Sequence, residues 1–188
     1  MRSLLLATVV VASLAATAAR AQILTNGSFE TGDFTGWTLT GNTGFTGVTN
    51  TFGGVGPTDG SYLAYFGAVG SEGYLSQAFA DTAGDVLALS FDLYNFGGTP
   101  SYFEFDFDGT LLTALTDPDA FGWTTYTFDV TATGSDNIQF GFRQDPSYFL
   151  LDNVAATDEG SSVPEPGSMA MVAAGLGILD VMRRRGLT

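Results

Sequence analysis

The 188-residue sequence contains no cysteine, no histidine and no lysine. Without cysteine it cannot form disulfide bonds, so its stability must come from core packing. The missing histidine and cysteine exclude Ser-His-Asp and Cys-His catalytic groups and ordinary zinc sites, and the missing lysine excludes Schiff-base chemistry. The enzyme chemistry that remains needs only carboxylates, as glycoside hydrolysis does.

The first 21 residues have the pattern of a cleavable secretory signal. Arg2 precedes an apolar centre over residues 4–14, and Ala19 and Ala21 form an A-x-A cleavage site. The apolar centre is shorter than the ~20 residues that cross a bilayer, which disfavours an uncleaved anchor. We expect export and a mature chain that begins near Gln22.

Positive charge is scarce in the mature region. Arg143 is the only basic residue between positions 22 and 160, and eighteen of the twenty carboxylates lie there. Such a surface repels phosphate and anionic lipid, so we expect no nucleic-acid partner. Exported carboxylates can bind calcium, although most of them are expected to form a solvated acidic surface.

The pattern of short strands and turns predicts an all-β, antiparallel β-sandwich domain over residues 22–157, followed by a linker at 158–162. Gly, Thr, Asn, Asp and Ser separate short aromatic and β-branched runs. In the clearest strand, 101–108, phenylalanines alternate with acidic residues, so that one face is buried and the other is wet. Further strands are predicted at 73–79, 86–96, 124–130, 137–143 and 148–155.

Two segments of this domain resemble jelly-roll carbohydrate-binding modules. ILTNGSFETGDFTGW (23–37) is similar to their first strand and turn, and FGFRQDPSYFLLDNVAAT (140–157) to their closing strand. The resemblance implies a jelly roll whose first and last strands lie near each other and hold a structural calcium ion at Glu30 and Asp152. Calcium takes six to eight oxygens, so these two would form part of a shell. The alternative is that Glu30 ends a strand in water and Asp152 caps a turn.

Sugar binding requires exposed aromatic rings on which pyranose rings stack. Trp37, Tyr94, Trp123 and Tyr148 are the candidate ligand-binding residues. Trp37 and Trp123 each follow a glycine, where tryptophan also commonly closes the edge of a sandwich core. Platform and core roles therefore both stay open.

The last 26 residues, VPEPGSMAMVAAGLGILDVMRRRGLT, resemble the PEP-CTERM sorting signal, which membrane-embedded exosortases of Gram-negative bacteria process. The motif residues are Val163, Pro164, Glu165, Pro166, Arg183, Arg184 and Arg185. The apolar run of about fourteen residues reaches roughly 21 Å as a short transmembrane helix, against a hydrocarbon core of about 30 Å. The arginines would stay on the cytoplasmic side and leave the domain outside. We expect a transient anchor in the inner membrane that an exosortase removes.

These features together predict an exported, exosortase-processed protein of the cell surface or extracellular matrix. Its non-catalytic jelly-roll domain is expected to associate with extracellular polysaccharide. One alternative is a structural or protein-contact matrix component without sugar affinity. Another is a glycosidase or lyase that uses two of Glu104, Asp106 and Asp108, which project from one strand face about 7 Å apart at each step.

Overall fold

The computed structural model describes residues 22–160, which fold into ten β-strands in two antiparallel five-stranded sheets. The strands are β1 (Thr38–Gly41), β2 (Thr46–Thr49), β3 (Leu63–Phe66), β4 (Gly73–Ala80), β5 (Val86–Asn95), β6 (Ser101–Phe107), β7 (Thr110–Thr116), β8 (Phe121–Thr131), β9 (Ser135–Gln144) and β10 (Phe149–Asp158). One sheet has the order β1-β4-β9-β6-β7 and the other β2-β3-β10-β5-β8. The predicted all-β class is confirmed.

Phenylalanine fills the space between the sheets. Eight rings are fully buried: Phe29, Phe66, Phe91, Phe103, Phe105, Phe140, Phe142 and Phe149. Phe66 of one sheet stacks on Phe142 of the other with ring centroids 3.7 Å apart. Burying each such ring contributes roughly 1.5–3 kcal/mol before entropy is counted. This core supplies the stability that a chain without disulfides needs.

Side-chain alternation identified six of the strands. β4, β5, β6, β8, β9 and β10 match the predicted segments, with ends that differ by up to three residues. β1, β2, β3 and β7 were not predicted, because their sequences TLTG, TGVT, LAYF and TLLTALT lack a clear alternation of apolar and polar residues. Their pairing with longer neighbours makes them strands.

The amino-terminal segment does not form the first strand that the resemblance implied. Gln22 makes a single antiparallel bridge to Thr157, and the amide of Ile23 donates to the carbonyl of Ala156. The segment then continues as turns that fold over the core. It still lies beside β10, as the resemblance implied for the two ends of the domain.

Several predicted features lie outside the described residues. These are the signal peptide at 1–21 and the sorting signal at 163–188. Within 22–160 there is no helix long and apolar enough to cross a membrane. β10 ends at Asp158, and Glu159 and Gly160 exchange backbone hydrogen bonds with Val86. Sheet pairing therefore includes the first residues of the predicted linker.

Candidate functional site

Trp37, one of the four predicted ligand-binding residues, is part of the core and is not an exposed platform. Its side chain is 8% exposed and packs against Phe29 and Phe140. The indole N–H donates to the carbonyl of Asn26 over 3.0 Å. The core role is therefore correct for Trp37, because the turn at 34–37 folds its ring inward.

The other three predicted residues belong to one group of partly exposed aromatic side chains. Tyr94 and Trp123 lie on the outer face of the β2-β3-β10-β5-β8 sheet and meet edge to face, with centroids 5.7 Å apart. Tyr148 contacts Phe52 at 4.5 Å, and Phe52 also lies near Phe96. The fold thus brings together three residues that are far apart in sequence.

The segment between β2 and β3 crosses this outer face and is fixed to it by two buried aspartates. Asp92 and Asp152 are 6% and 0% exposed and lie opposite each other on β5 and β10. The amides of Thr58 and Asp59 donate to Oδ2 of Asp152 over 2.6 and 3.0 Å. Trp123 adds an indole N–H bond to the carbonyl of Gly56 at 3.1 Å. Much of this face is therefore used for internal packing.

Glu30 and Asp152, the predicted calcium ligands, bind opposite ends of the same segment. Oε1 of Glu30 accepts the amides of Ser61 and Tyr62 at 2.8 and 2.9 Å. Burial raises the pKa of Asp152, while its amide donors oppose that shift. Within 22–160 no three acidic side chains are grouped as a metal site. Because these carboxylates face N–H donors, the residues present do not fit a calcium shell.

The outer face of the other sheet carries two tyrosines among polar side chains. Along this face, Tyr74 of β4, Gly141 of β9 and Glu104 of β6 form one cross-strand row. Ser76, Gln139 and Asp106 form the next row, and Arg143 pairs with Tyr102 on the other side. We call this surface, with Tyr74, Tyr102, Glu104, Gln139 and Arg143 at its centre, the tyrosine face.

Gly141 lies buried at the centre of the tyrosine face, beneath the Glu104 side chain. A Cβ atom at this position would lie 2.7 Å from Cγ of Glu104, so the Glu104 side chain lies over the glycine. The Tyr102 hydroxyl donates to Oε2 of Glu104 and the Tyr74 hydroxyl to Oε2 of Glu72, both over 2.8 Å. These two hydrogen bonds hold the phenol rings of β4 and β6 in place on either side of β9.

Acidic neighbours set the electrostatics of this face. Hydrogen bonds to Glu72 and Glu104, followed by desolvation and the nearby negative charges, raise the pKa of Tyr74 and Tyr102 to about 12. Burial raises the pKa of Asp106. Arg143 forms an ion pair with Asp145 at 2.8 Å. The tyrosine face therefore presents two neutral phenol groups, several carboxylate hydrogen-bond acceptors, and one arginine whose charge is paired with Asp145.

Sequence reasoning missed Tyr74 and Tyr102 as candidates. Both occupy outward positions of predicted strands, where an aromatic residue alternates with buried residues: Tyr74 precedes Leu75, and Tyr102 precedes Phe103. An aromatic ring on the wet side of a half-buried strand was the available signal. Glu104, Asp106 and Asp108 were predicted to project from one strand face. The structure places Glu104 and Asp106 on the tyrosine face, whereas Asp108 follows the end of β6 and lies beside Asp136.

A cluster of three aspartates, separate from the tyrosine face, lies where β4 and β6 end near the start of β9. The carboxylate of Asp136 contacts those of Asp81 and Asp108, and Thr133 donates to Asp136. Burial and the proximity of Asp136 raise the pKa of Asp81, and burial raises that of Asp108. Burial opposes ionisation of Asp136, but the bonds from Thr133 outweigh it and lower its pKa. Oδ2 of Asp81 is buried without a hydrogen-bond partner.

Comparisons with known proteins establish the fold. No family model matches the sequence, and no curated protein matches it either. The module TmCBM61, solved in complex with beta-1,4-galactotriose, matches with a TM-score of 0.58 and 20% identity over 74% of this chain and 99% of its own. The CBM22-1 xylan-binding domain of Paenibacillus barcinonensis Xyn10C matches with a TM-score of 0.52 and 18% identity, covering 77% and 100%.

An enzyme also contains this fold. The enzymatically active domain of bacteriophage CBA120 tailspike protein 4 matches with a TM-score of 0.56 and 17% identity over 73% of this chain, which covers 21% of the tailspike chain. At these identities the likeness concerns the fold alone. Carbohydrate-binding modules of the jelly-roll type are among the structural neighbours, so the predicted sandwich architecture is that of a jelly roll.

Proposed function

We propose that this domain binds a neutral polysaccharide without cleaving it, and that the tyrosine face is its binding surface. The observation that carries this proposal is the pair of tyrosine rings across Gly141, with carboxylates, an amide and Arg143 between and beside them. Ring faces stack on the C–H faces of pyranoses, and the polar groups exchange hydrogen bonds with sugar hydroxyls.

Charge decides the class of polysaccharide. Arg143 is the only basic residue between positions 22 and 160 and is paired with Asp145. An anionic chain would face Glu72, Glu104 and Asp106 without compensation. A neutral chain avoids this repulsion, and its hydroxyls can donate to the same carboxylates.

The structural neighbours support this proposal. TmCBM61 was solved with beta-1,4-galactotriose, and the CBM22-1 domain is described as xylan-binding. Both ligands are neutral, β-linked sugars. They guide the choice of first probes for this chain.

The proposed cellular role is that of an exported surface or matrix protein associated with extracellular polysaccharide. The sorting residues Val163–Pro166 and Arg183–Arg185 would place the domain outside the inner membrane until an exosortase releases it. Mass spectrometry of the exported form tests this role. Loss of everything after about residues 163–165 is expected, and an intact arginine cluster on exported protein would overturn the sorting proposal.

Calcium at Glu30 and Asp152 stays a prediction from the resemblance. A melting temperature that falls in EDTA and recovers with calcium would support it, and would require ligands other than those that the present arrangement supplies. An unchanged melting temperature would show that the amide donors of the 58–62 segment suffice.

Hydrolysis by Glu104 and Asp106 is the second candidate, because burial raises the pKa of Asp106 as a general acid requires. Both residues lie on an outer sheet face, with no enclosed cleft around them among the described pockets. We expect no reducing ends to be released from β-1,4-galactan or β-1,4-xylan. Release that is lost in Asp106→Asn would favour the enzyme.

A printed glycan array, followed by affinity electrophoresis in gels that contain soluble β-1,4-galactan or β-1,4-xylan, tests the binding proposal. Binding is expected to weaken at least tenfold in Tyr74→Ala and Tyr102→Ala, because each removes one stacking surface. Tyr126→Phe, on the opposite sheet, is the matched control. Absence of any signal for the wild-type domain would favour a protein-contact matrix component without sugar affinity.

A further inference from the structure

An open cleft of about 290 Å³ lies where β5 ends and β8 begins, on the sheet opposite the tyrosine face. Its lining residues are Tyr94, Asn95, Phe96, Ala120, Phe121 and Gly122. We call it the aromatic cleft. Its lining belongs to β5 and the residue that follows it, to β8 and to the loop before β8, whereas the tyrosine face lies on β4, β9 and β6 of the other sheet, so the two surfaces share no residue.

The walls of the aromatic cleft are fixed by contacts around it. Tyr94 and Phe96 lie with ring centroids 4.8 Å apart, and Trp123 meets Tyr94 edge to face at 5.7 Å. The buried amide of Asn95 donates to the carbonyls of Pro118 and Asp119 at 3.1 and 3.0 Å. The loop before β8 is therefore held to the end of β5. Rings and loop are positioned in advance of any ligand, which reduces the entropic cost of binding.

Gly122 leaves room in the cleft. A Cβ atom at this position would meet no atom within 4 Å. The lining combines the rings of Tyr94, Phe96 and Phe121 with the hydroxyl group of Tyr94. This combination of apolar walls with a few polar groups is typical of small-ligand sites.

Size and charge select the ligand. The volume is near the lower limit of ligand clefts, which is about 300 Å³. Asp119 is exposed beside the cleft, and the single cation of the described range, Arg143, belongs to the tyrosine face. A neutral saccharide ring fits these limits, and an anionic ligand does not.

We propose that the aromatic cleft is a second saccharide site, so that one domain holds two neutral polysaccharide chains, one on each sheet. This inference rests on the proposed function for the first chain. It adds cross-linking of polysaccharide, which a single binding face cannot produce in a monomer.

The experiment compares the wild type with variants of each face, each as the full exported chain. Gly122→Gln adds an uncharged side chain at a lining residue of the cleft, where a Cβ atom would meet no other atom within 4 Å. Thr131→Gln, at the exposed far end of β8, is its control. The double variant Tyr74→Ala/Tyr102→Ala removes the tyrosine face. Each is tested by retardation in gels containing soluble β-1,4-galactan or β-1,4-xylan, and by the turbidity of its mixtures with the same polysaccharide in solution. Circular dichroism verifies that every variant is folded.

The wild type and Thr131→Gln are expected to raise turbidity. Gly122→Gln and the tyrosine double variant are each expected to lose this turbidity while keeping part of the retardation, and their combination is expected to lose both. Full turbidity in Gly122→Gln, or complete loss of retardation in the double variant alone, would overturn the second site and leave the proposed function standing. A change in oligomeric state caused by Gly122→Gln would identify the cleft as a contact between copies and would also overturn it.

Two further outcomes concern the proposed function itself. No retardation of the wild type would overturn both proposals. If Gly122→Gln abolishes retardation and the tyrosine double variant keeps all of it, the cleft is the saccharide site and the tyrosine face does not bind polysaccharide.

Discussion

Asp92 and Asp152 lie directly opposite each other on β5 and β10, and the hydroxyl of Thr58 is 2.7 Å from Oδ2 of Asp92 and 3.1 Å from Oδ2 of Asp152. One hydroxyl proton thus serves two buried carboxylates. The bond from Thr125 to Oδ1 of Asp92, at 2.5 Å, adds a further donor. This pair fixes the β2–β3 segment to the sheet.

Replacing Thr58 with valine is expected to destabilise the domain by about 1–3 kcal/mol, because it removes a hydroxyl donor from buried carboxylates at nearly constant volume. Urea unfolding measures the change. Thr127→Val, at an exposed position of β8, is the control and should stay within about 0.5 kcal/mol of the wild type. A Thr58→Val variant as stable as the control would show that the shared hydroxyl contributes little.

Mild acidification is expected to stabilise the domain. The pKa values of Asp81, Asp106, Asp108 and Asp152 are raised in the folded state. A raised carboxyl pKa means that the folded state binds the proton more tightly than the unfolded state, so stability rises as pH falls from neutral toward the ordinary value near 4. Below that value, the lowered pKa values of Asp33 and Asp136 reverse the trend. Melting temperatures between pH 7 and pH 3 measure this, and a steady decrease from pH 7 would contradict it.

Asp81→Asn is expected to stabilise the domain at pH 7 by about 1 kcal/mol, because it removes a charge beside Asp136 and gives the buried position an N–H donor. The gain should shrink near pH 4, where Asp81 of the wild type is increasingly protonated. Asp129→Asn, at an exposed position of β8, is the matched control. Equal gains in the two variants would attribute the effect to net charge alone.

Two of the seven tyrosines are expected to ionise near pH 12, because Tyr74 and Tyr102 donate to carboxylates. Because these pKa values are raised in the folded state, the protonated phenols of Tyr74 and Tyr102 stabilise the fold fully below about pH 10. This stabilisation is lost as the pH rises from there to about 12. Absorbance at the phenolate band follows the titration. In Glu104→Gln the Tyr102 transition should move toward lower pH, and an unchanged curve would rule out the observed hydrogen bond in solution.

Trp37→Phe is expected to lower the melting temperature but leave glycan-array binding unchanged, because Trp37 belongs to the core and donates to Asn26. The lost hydrogen bond and volume should cost about 1–3 kcal/mol. Lost glycan binding by a folded Trp37→Phe variant would restore the platform role.

Much of the strand pattern could be predicted from local sequence. Phe103, Phe105 and Phe107 alternate with acidic residues, and burial of alternate side chains is a property of an isolated strand. The four unpredicted strands depend on their neighbours: β3 pairs with β2 and β10, and its sequence LAYF has no polar alternation. Trp37 and Trp123 show the same limit, because both follow a glycine, yet one enters the core and the other lies on the outer face.

The aromatic core, the acidic surface with few cations, and the absence of histidine, cysteine and lysine chemistry all follow from composition and from the two-residue period of a strand. Which outward residues share a surface depends on how the strands pair. Tyr74, Tyr102 and Gly141 meet because β9 pairs with both β4 and β6, and the aromatic cleft forms because β5 pairs with β8. These pairings join residues tens of positions apart through backbone hydrogen bonds that carry no side-chain signal, so strand order had to come from the folded chain.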